Sequence, residues 1–490
     1  MSFEKRFSHY LAYSGLQSKE YQIEGVRWCV ANETQTNECG SKKKGGFIAD
    51  EMGLGKTILM IGTMAMNILP NTLIVLPPVL IEQWRQQIRK TTGYEPLVYH
   101  GTAKKKIDMG HLLAARIVLT SYCAISIRKC DNEKSLLLHN VAWSRIIFDE
   151  AHHLRNRGAR FYGACNLKSG IRWLVTGTPI QNKKRDFYNL CEVLGMSRSF
   201  YTDLNNASSF LLKRTKKQVG IQLPDVVCEK TMVHWTNSRE RELFEEVHST
   251  LKFTNIAKNA KRLGIQRISR GTVLTNILRA RQMSVMPKLL TSCMNLYEND
   301  HYAQGLTACS KLNSVVASIL SNRDNGAGKL VFCMFKEEID EVYSRLLDGG
   351  MMNVACLDGR TGKEERLAAL SDNNEVLILQ VQTGCEGLNL QENYSEIYFV
   401  TPHWNPAIED QAIARCHRIG QTKNVIVRRF EMSVLSTLEK CGAVSPSVVS
   451  PTTSLENNPD SNDEQLTMEG YVNNVQKYKR YLSEQILGSS

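Results

Sequence analysis

One stretch, Phe47-Ile-Ala-Asp-Glu-Met-Gly-Leu-Gly-Lys-Thr-Ile58, constrains this chain more than any other. An apolar lead-in ends in a turn carrying Gly53, Gly55, Lys56 and Thr57, and the apolar run Ile58 to Met66 continues at helical spacing. A strand feeding a glycine turn and then a helix aims backbone N–H groups and the positive end of the helix dipole at one point, which suits a triphosphate. On this reading Asp50, Glu51, Met52, Gly53, Leu54, Gly55, Lys56 and Thr57 form a phosphate loop. Lys56 would reach the β- and γ-phosphates and the Thr57 hydroxyl would ligate Mg²⁺. The strict P-loop pattern has glycine where this chain has Asp50, so the stretch needs support from elsewhere.

That support begins at Arg145-Ile-Ile-Phe-Asp-Glu-Ala-His-His153, where an apolar strand delivers two carboxylates at its end. Asp149 can hold Mg²⁺ through water and Glu150 can act as general base on the attacking water. Downstream of the Lys56 turn, this pair makes nucleotide hydrolysis the leading reading. Gln22, in a helix expected over Leu16 to Val30, has an amide that donates and accepts at once and can read an adenine edge. Trp173-Leu-Val-Thr-Gly-Thr-Pro179 reads as a further strand and turn near the γ-phosphate. Within Pro406 to Ile419, Gln411, Arg415 and Arg418 are spaced by four and three, on one helical face. Such an arginine pair suits the charge developing on a transferring phosphoryl group.

Thr72 to Pro78 and Ile117 to Tyr122 are further short apolar strands alternating with helical patterns, the signature of a parallel α/β sheet. Ligands gather at the C-terminal ends of such strands, where Thr120, Ser121 and Tyr122 could hydrogen-bond nucleic-acid phosphates. Asp186 to Tyr302 is mainly helix-patterned, and the strand/helix alternation restarts at Leu330 to Phe335, Asn353 to Leu357 and Val376 to Gln380. The expected fold is therefore α/β, with two parallel-sheet lobes and a helical insertion between them. The boundaries fall at 1–195 for the first lobe, 196–310 for the helical region and 311–442 for the second lobe. A Ser-, Pro- and Asn-rich segment, 443–466, is expected to be disordered, and 467–490 to be a closing helix.

Composition narrows the partners. A net charge of +12 over 490 residues favours a polyanion. No acidic residue occurs from Val247 to Tyr297, where Arg267 and Arg270 are the best candidates for backbone phosphates and Arg279 and Arg281 read as braces. The fourteen cysteines contain no C-x-x-C pair, which argues against zinc and against a disulfide framework. No run is long enough to span a bilayer and the N-terminus has no apolar signal core, so an intracellular protein with no membrane partner is expected.

Taken together, Asp-Glu-Met-Gly-Leu-Gly-Lys-Thr at 50–57, Asp-Glu-Ala-His at 149–152, Thr-Gly-Thr-Pro-Ile-Gln-Asn at 176–182 and His-Arg-Ile-Gly-Gln at 417–421 resemble the SNF2 branch of superfamily 2 helicase-like ATPases. The resemblance covers about residues 16–435 and includes Asp at position 50. Phe161 to Asn182 and Trp404 to Val427 look most like the lodestar/transcription-termination branch and its RING-bearing repair relatives, without a RING here. The likeness implies two RecA-like lobes, ATP and Mg²⁺ as cofactors, Gln22 as the adenine reader, Arg415 and Arg418 as arginine fingers, and Trp404 among the DNA contacts. It implies a DNA-stimulated ATPase that tracks along double-stranded DNA and displaces bound protein or a transcription complex; strand separation and a non-catalytic DNA-binding scaffold are the alternatives. A nuclear location follows, or a cytoplasmic replication site or virion if the source is viral, since compact members include viral ones. Where the family usually carries a Gly-Gly-rich motif, this chain has Thr383-Gly-Cys-Glu-Gly-Leu-Asn-Leu390, and Glu386 in that run is expected to tune or weaken coupling to DNA.

Overall fold

The computed structural model describes residues 3–34, 44–127, 137–180, 183–202, 207–249, 270–290, 306–371, 374–381, 388–433 and 468–487. The strands are β1 (Lys44–Ile48), β2 (Thr72–Leu76), β3 (Leu97–Tyr99), β4 (Ile117–Ser121), β5 (Ala142–Asp149), β6 (Lys168–Val175), β7 (Leu211–Leu212), β8 (Val226–Val233), β9 (Gly328–Cys333), β10 (Val354–Leu357), β11 (Val376–Gln380), β12 (Tyr394–Phe399) and β13 (Val425–Met432). They form two sheets, in the orders β3-β4-β2-β5-β6-β1-β7 and β10-β11-β9-β12-β13-β8. Every neighbouring pair runs parallel. The molecule thus has the two parallel-sheet α/β lobes that the alternation implies.

The strand sequences explain this choice. β2, Thr72-Leu-Ile-Val-Leu76, is buried along its whole length. An unbroken apolar strand fits a parallel sheet covered by helices on both faces, because neither face is left for polar residues. Its neighbours divide accordingly. Phe47, Val75, Phe148 and Leu174 pack on one side with Phe187, whereas Ile48, Ile74, Ile147 and Val175 pack on the other with Trp84. The second lobe repeats the pattern, with Val331, Ile378 and Tyr398 opposite Leu330, Leu377 and Phe399. A separate apolar cluster, including Phe244, Met283 and Tyr471, joins helices Ser238–Ser249, Arg270–Val285 and Met468–Leu487.

The structure departs from the sequence reading in several places. The helix expected from Leu16 runs over Glu20–Thr34, and the strand expected at Trp173 to Pro179 runs over Lys168–Val175, with the Thr-Gly-Thr turn beyond it. The region read as helical, 196–310, supplies β7 to the first sheet and β8 to the second. β8 carries Val226, Val227, Thr231 and Val233, and the β-branched side chains outweigh the charges between them. Strands β12 and β13 have no counterpart in the sequence reading, because Glu396 and Arg428 look like surface residues. Both are buried, and Arg428 lies 3.0 Å from Glu396. Segment 443–466 and Glu386 lie outside the described residues.

The base of the first lobe is pinned by one buried carboxylate. Arg145 donates to both oxygens of Glu33, at 2.5 Å each. The Trp173 indole and the Asn67 amide donate to the same carboxylate at 2.8 and 2.6 Å. The pair is nearly inaccessible, with side-chain exposures of 1% and 0%. Glu33 thereby fixes the helix bearing Gln22 against β5 and β6. Removing one partner of such a pair strands the other charge in the interior. Glu33→Ala should therefore cost about 3–5 kcal/mol of stability, seen as a lower urea midpoint at unchanged slope; a midpoint equal to the parent's would contradict this role.

Candidate functional site

Strand β1, paired with β6 on one side and the short edge strand β7 on the other, ends buried and runs into the loop 49–55, followed by helix Lys56–Met66. Gly53 and Gly55 have φ of 90° and 80°, a left-handed backbone that suits glycine. A Cβ on Gly55 would also lie 2.6 Å from the Gln22 amide nitrogen, so the approach of Gln22 to the loop depends on that glycine. The Tyr21 hydroxyl and the Gln22 amide both donate to Leu54 O, at 3.3 Å each. Lys56 Nζ donates to Asp50 O and Glu51 O at 2.9 and 3.3 Å, so the ammonium lies across the loop. Burial lowers the Lys56 pKa, while the charges of Glu150, Asp50 and Asp149 oppose that effect.

Asp50, the departure from the strict pattern, is buried and held by Arg214 through Nε at 3.0 Å and Nη2 at 2.5 Å. Arg214 also donates to Tyr21 O and stacks its guanidinium 5.6 Å from the Tyr21 ring centre. Glu51 accepts from the backbone N–H of Lys216 at 2.8 Å. Gly177, in the Thr176-Gly-Thr178 turn, is so close that a Cβ there would meet Met52 Cγ at 2.9 Å and Lys56 Nζ at 3.3 Å.

The paired carboxylates stand where β5 ends. Asp149 Oδ2 accepts from the Trp84 indole at 2.7 Å, Oδ1 from Glu150 N at 3.0 Å, and its carbonyl from the Tyr122 hydroxyl at 2.6 Å. Glu150 has φ 48°, the one non-glycine residue with positive φ among the described residues. That backbone is costly for a residue with a Cβ and turns Glu150 out of line with the strand. Its carboxylate lies 3.3 Å from His152 Nδ1, without hydrogen-bond alignment. Burial, then the charge of Glu150, raises the Asp149 pKa. Burial also acts to raise that of Glu150, but His152, Lys56 and Arg415 outweigh it and hold Glu150 ionised.

The second lobe completes the wall. Arg415 and Arg418 line the same cavity of about 120 Å³ as Lys56, Thr57, Asp149 and Glu150. Helix Pro406–Cys416 starts at Asn405, whose side chain accepts from Ala407 N. It stops at Cys416, so Arg418 projects from the following turn and not from one helical face with Gln411 and Arg415. Gly420, at φ 102°, allows this turn, and the Gln421 amide donates to Cys416 O at 3.3 Å. Burial, then the charge of Arg415, lowers the Arg418 pKa, and Arg418 donates to Asn389 Oδ1. Two guanidinium groups in one cleft favour an anion between the lobes. Gln411 is 4% exposed, and its amide nitrogen has no partner among the described residues.

The expected DNA contacts fare differently. Thr120, Ser121 and Tyr122 are buried in the first lobe, with Thr120 donating to Tyr99 O and Ser121 3.2 Å from His100 Nδ1. Their side chains serve strand packing and Asp149, which corrects the phosphate-facing reading. Trp404 is likewise committed, with its ring 5.6 Å from Tyr471 and 5.8 Å from Lys479 Nζ on the closing helix. Arg267 lies outside the described residues, and Arg270 opens a helix whose first side chains are also outside them. Arg281 donates to Pro402 O of the second lobe, whereas Arg279 donates to Gln282 within its own helix. The sequence reading missed Trp84, Arg214, Lys216 and Asn389; the run Leu211-Leu-Lys-Arg-Thr-Lys-Lys217 was the available signal for two of them.

Comparison with known proteins adds an independent result. A profile described as SNF2-related domain matches residues 21–206, and one described as helicase conserved C-terminal domain matches residues 310–420. The chain is 26% identical over 449 residues to a "Probable global transactivator" of Orgyia pseudotsugata multicapsid polyhedrosis virus, covering 86% of this chain and 87% of that one. It is 28% identical over 462 residues to the ISWI chromatin-remodeling complex ATPase ISW2 of Saccharomyces cerevisiae, covering 84% of this chain but 38% of the yeast protein. The Hef helicase domain of Pyrococcus furiosus matches in fold, with TM-score 0.51 and 15% identity over 85% of this chain and 96% of that one.

Trp84→Phe keeps the buried ring and removes the donor to Asp149. It should lower turnover of a nucleoside triphosphate about 10–100-fold, the scale seen when a partner that orients a metal-site carboxylate is lost. Steady-state kinetics beside a thermal melt measures this; unchanged kcat in a folded variant would show that the indole contact is only packing.

Proposed function

Because the chain belongs to the SNF2-related helicase-like ATPases, we propose that it is an ATP-driven translocase on double-stranded DNA that remodels or displaces protein bound there. One juxtaposition supports this most: Lys56, Asp149 and Glu150 of one lobe share a cavity with Arg415 and Arg418 of the other. A site divided in this way is complete only when the lobes meet, so nucleotide turnover and lobe movement become one cycle. The likeness to a chromatin-remodeling ATPase and the charge of +12 favour duplex DNA as the track. The viral relative and the yeast one suggest sites of action on a viral or a nuclear genome.

Each residue has a part in hydrolysis. Gln22, which lies beside Leu54 and Gly55, would read the base at the loop's edge. Lys56 exchanges its two loop carbonyls for phosphate oxygens. Mg²⁺ fits the oxygen donors present, since Asp149 keeps lone pairs beyond its two hydrogen bonds and Thr57 lies in the first helical turn. Held by Thr57 and Asp149, it would neutralise charge on the phosphates. Glu150, kept ionised, takes a proton as water attacks the γ-phosphorus and the bond to the bridging oxygen breaks. Arg415 and Arg418 then face the charge gathered on the transferring group.

Lys56→Ala should weaken ATP binding and abolish turnover, whereas Glu150→Gln should bind ATP and hydrolyse it poorly. Malachite-green assays with and without duplex DNA, beside nucleotide-binding titrations, test this; a small loss of kcat in both variants would refute the assignment. Triplex displacement beside a strand-separation assay separates a translocase from an unwinding helicase. Absence of DNA-stimulated turnover would leave only a scaffold.

Arg267 and Arg270 are proposed as phosphate contacts on the strength of the acid-free stretch Val247 to Tyr297. Binding should ignore base sequence and weaken steeply with salt. Substituting both by alanine should reduce the log–log salt slope by about one unit for each phosphate no longer neutralised. An unchanged slope, with native circular dichroism, would assign these arginines to ordinary solvated surface.

A further inference from the structure

The first sheet ends at Leu212 and the second begins at Val226, so the connector 213–225 is the covalent crossing between the lobes. It touches both halves of the nucleotide cleft. On the first lobe, Lys216 N donates to Glu51 Oε2 at 2.8 Å and Lys216 Nζ lies 3.2 Å from Glu51 Oε1. On the second, Lys216 Nζ donates to His417 O at 3.0 Å, and the His417 ring donates through Nε2 to Pro224 O at 2.9 Å. A Cβ built on Gly53 would sit 3.5 Å from Lys216 Cε and 3.4 Å from Arg418 Cβ. The lysine is thus wedged between the phosphate loop and the residue next to Arg418.

This is a costly place for an ammonium. Lys216 is 9% exposed, and removing its charge from water is offset by one partly exposed carboxylate and one carbonyl. An apolar side chain would pack there with less desolvation, so what the lysine adds is geometry. It has one partner from each lobe and a third link through its own backbone. We propose that Lys216 is a positioning residue for hydrolysis, tying the phosphate loop to the His417 carbonyl so that Arg418 meets the γ-phosphate as the lobes close. The proposal rests on the reading that this site hydrolyses ATP.

The test is Lys216→Met, which keeps side-chain length and removes the donor. A misplaced catalytic group costs on the order of a hundredfold, so kcat should fall by about that factor with KM for ATP little changed. Lys216→Arg, which restores a cationic donor, should recover most of the loss. In an Arg418→Ala background, Lys216→Met should add almost nothing, because the two act as a unit. A kcat near the parent's, or two losses that multiply in the double variant, would overturn the proposal. Hydrogen exchange of the segment 416–421 in nucleotide-free protein reads the same contact without turnover. Faster exchange in Lys216→Met is expected, and unchanged protection overturns the placement. An inactive parent would instead refute the hydrolysis reading alone, which keeps the two failures apart.

Discussion

Much of the site depends on the ion pair between Asp50 and Arg214. A glycine at position 50 would leave the loop free to settle by itself; a carboxylate there must find a cation or the loop cannot close. Arg214 supplies it from just beyond β7, the edge strand paired with β1. The same guanidinium reaches Tyr21 O, so the loop, the Gln22 helix and the connector between lobes meet at one side chain. Because Arg214 and Lys216 are two residues apart, anchoring the loop also delivers Lys216 to Glu51 and His417. The glycine loop after β1 and the turn bearing Arg418 are thereby linked through a single short segment.

The charges of the cleft are arranged to want an anion. Lys56, Arg415 and Arg418 crowd one cavity, and burial lowers the pKa of Lys56 and of Arg418. Asp149 and Glu150 line the same cavity, and their pKa values are pushed in opposite directions although they are neighbours in sequence. The difference comes from placement. Asp149 remains in line with β5 and faces Trp84, whereas the left-handed backbone at Glu150 turns it towards His152 and the cations. Two adjacent carboxylates with different environments can take different roles, one suited to a metal ion and one to accepting a proton.

The glycine loop, the adjacent Asp149-Glu150 pair and the doubled strand/helix alternation were legible in the sequence because each depends on local order. An apolar strand followed by a glycine turn or a carboxylate pair reads the same in a string as in a fold. What failed did so for a common reason. Thr120, Ser121 and Tyr122 sit at a strand end as expected, but which way their hydroxyls turn depends on Tyr99, His100 and Asp149, all distant in sequence. β12 and β13 were invisible because Glu396 and Arg428 neutralise each other across the sheet. Arg418 left its expected helical face because the Gln421 side chain takes the last-turn carbonyl of Cys416.

The sequence by itself determined which residues could do chemistry and that two parallel sheets would carry them. Residue type and short-range spacing suffice for that, since strand, turn and helix are set within a few residues. Only the tertiary structure decided which of those residues meet. Gln22 reaches Gly55 from another helix, Trp84 reaches Asp149 across 65 positions, and Lys216 reaches His417 across 201. Such contacts leave no periodic trace, because their cost and benefit arise only when burial brings unlike segments together and each buried polar group must find a partner.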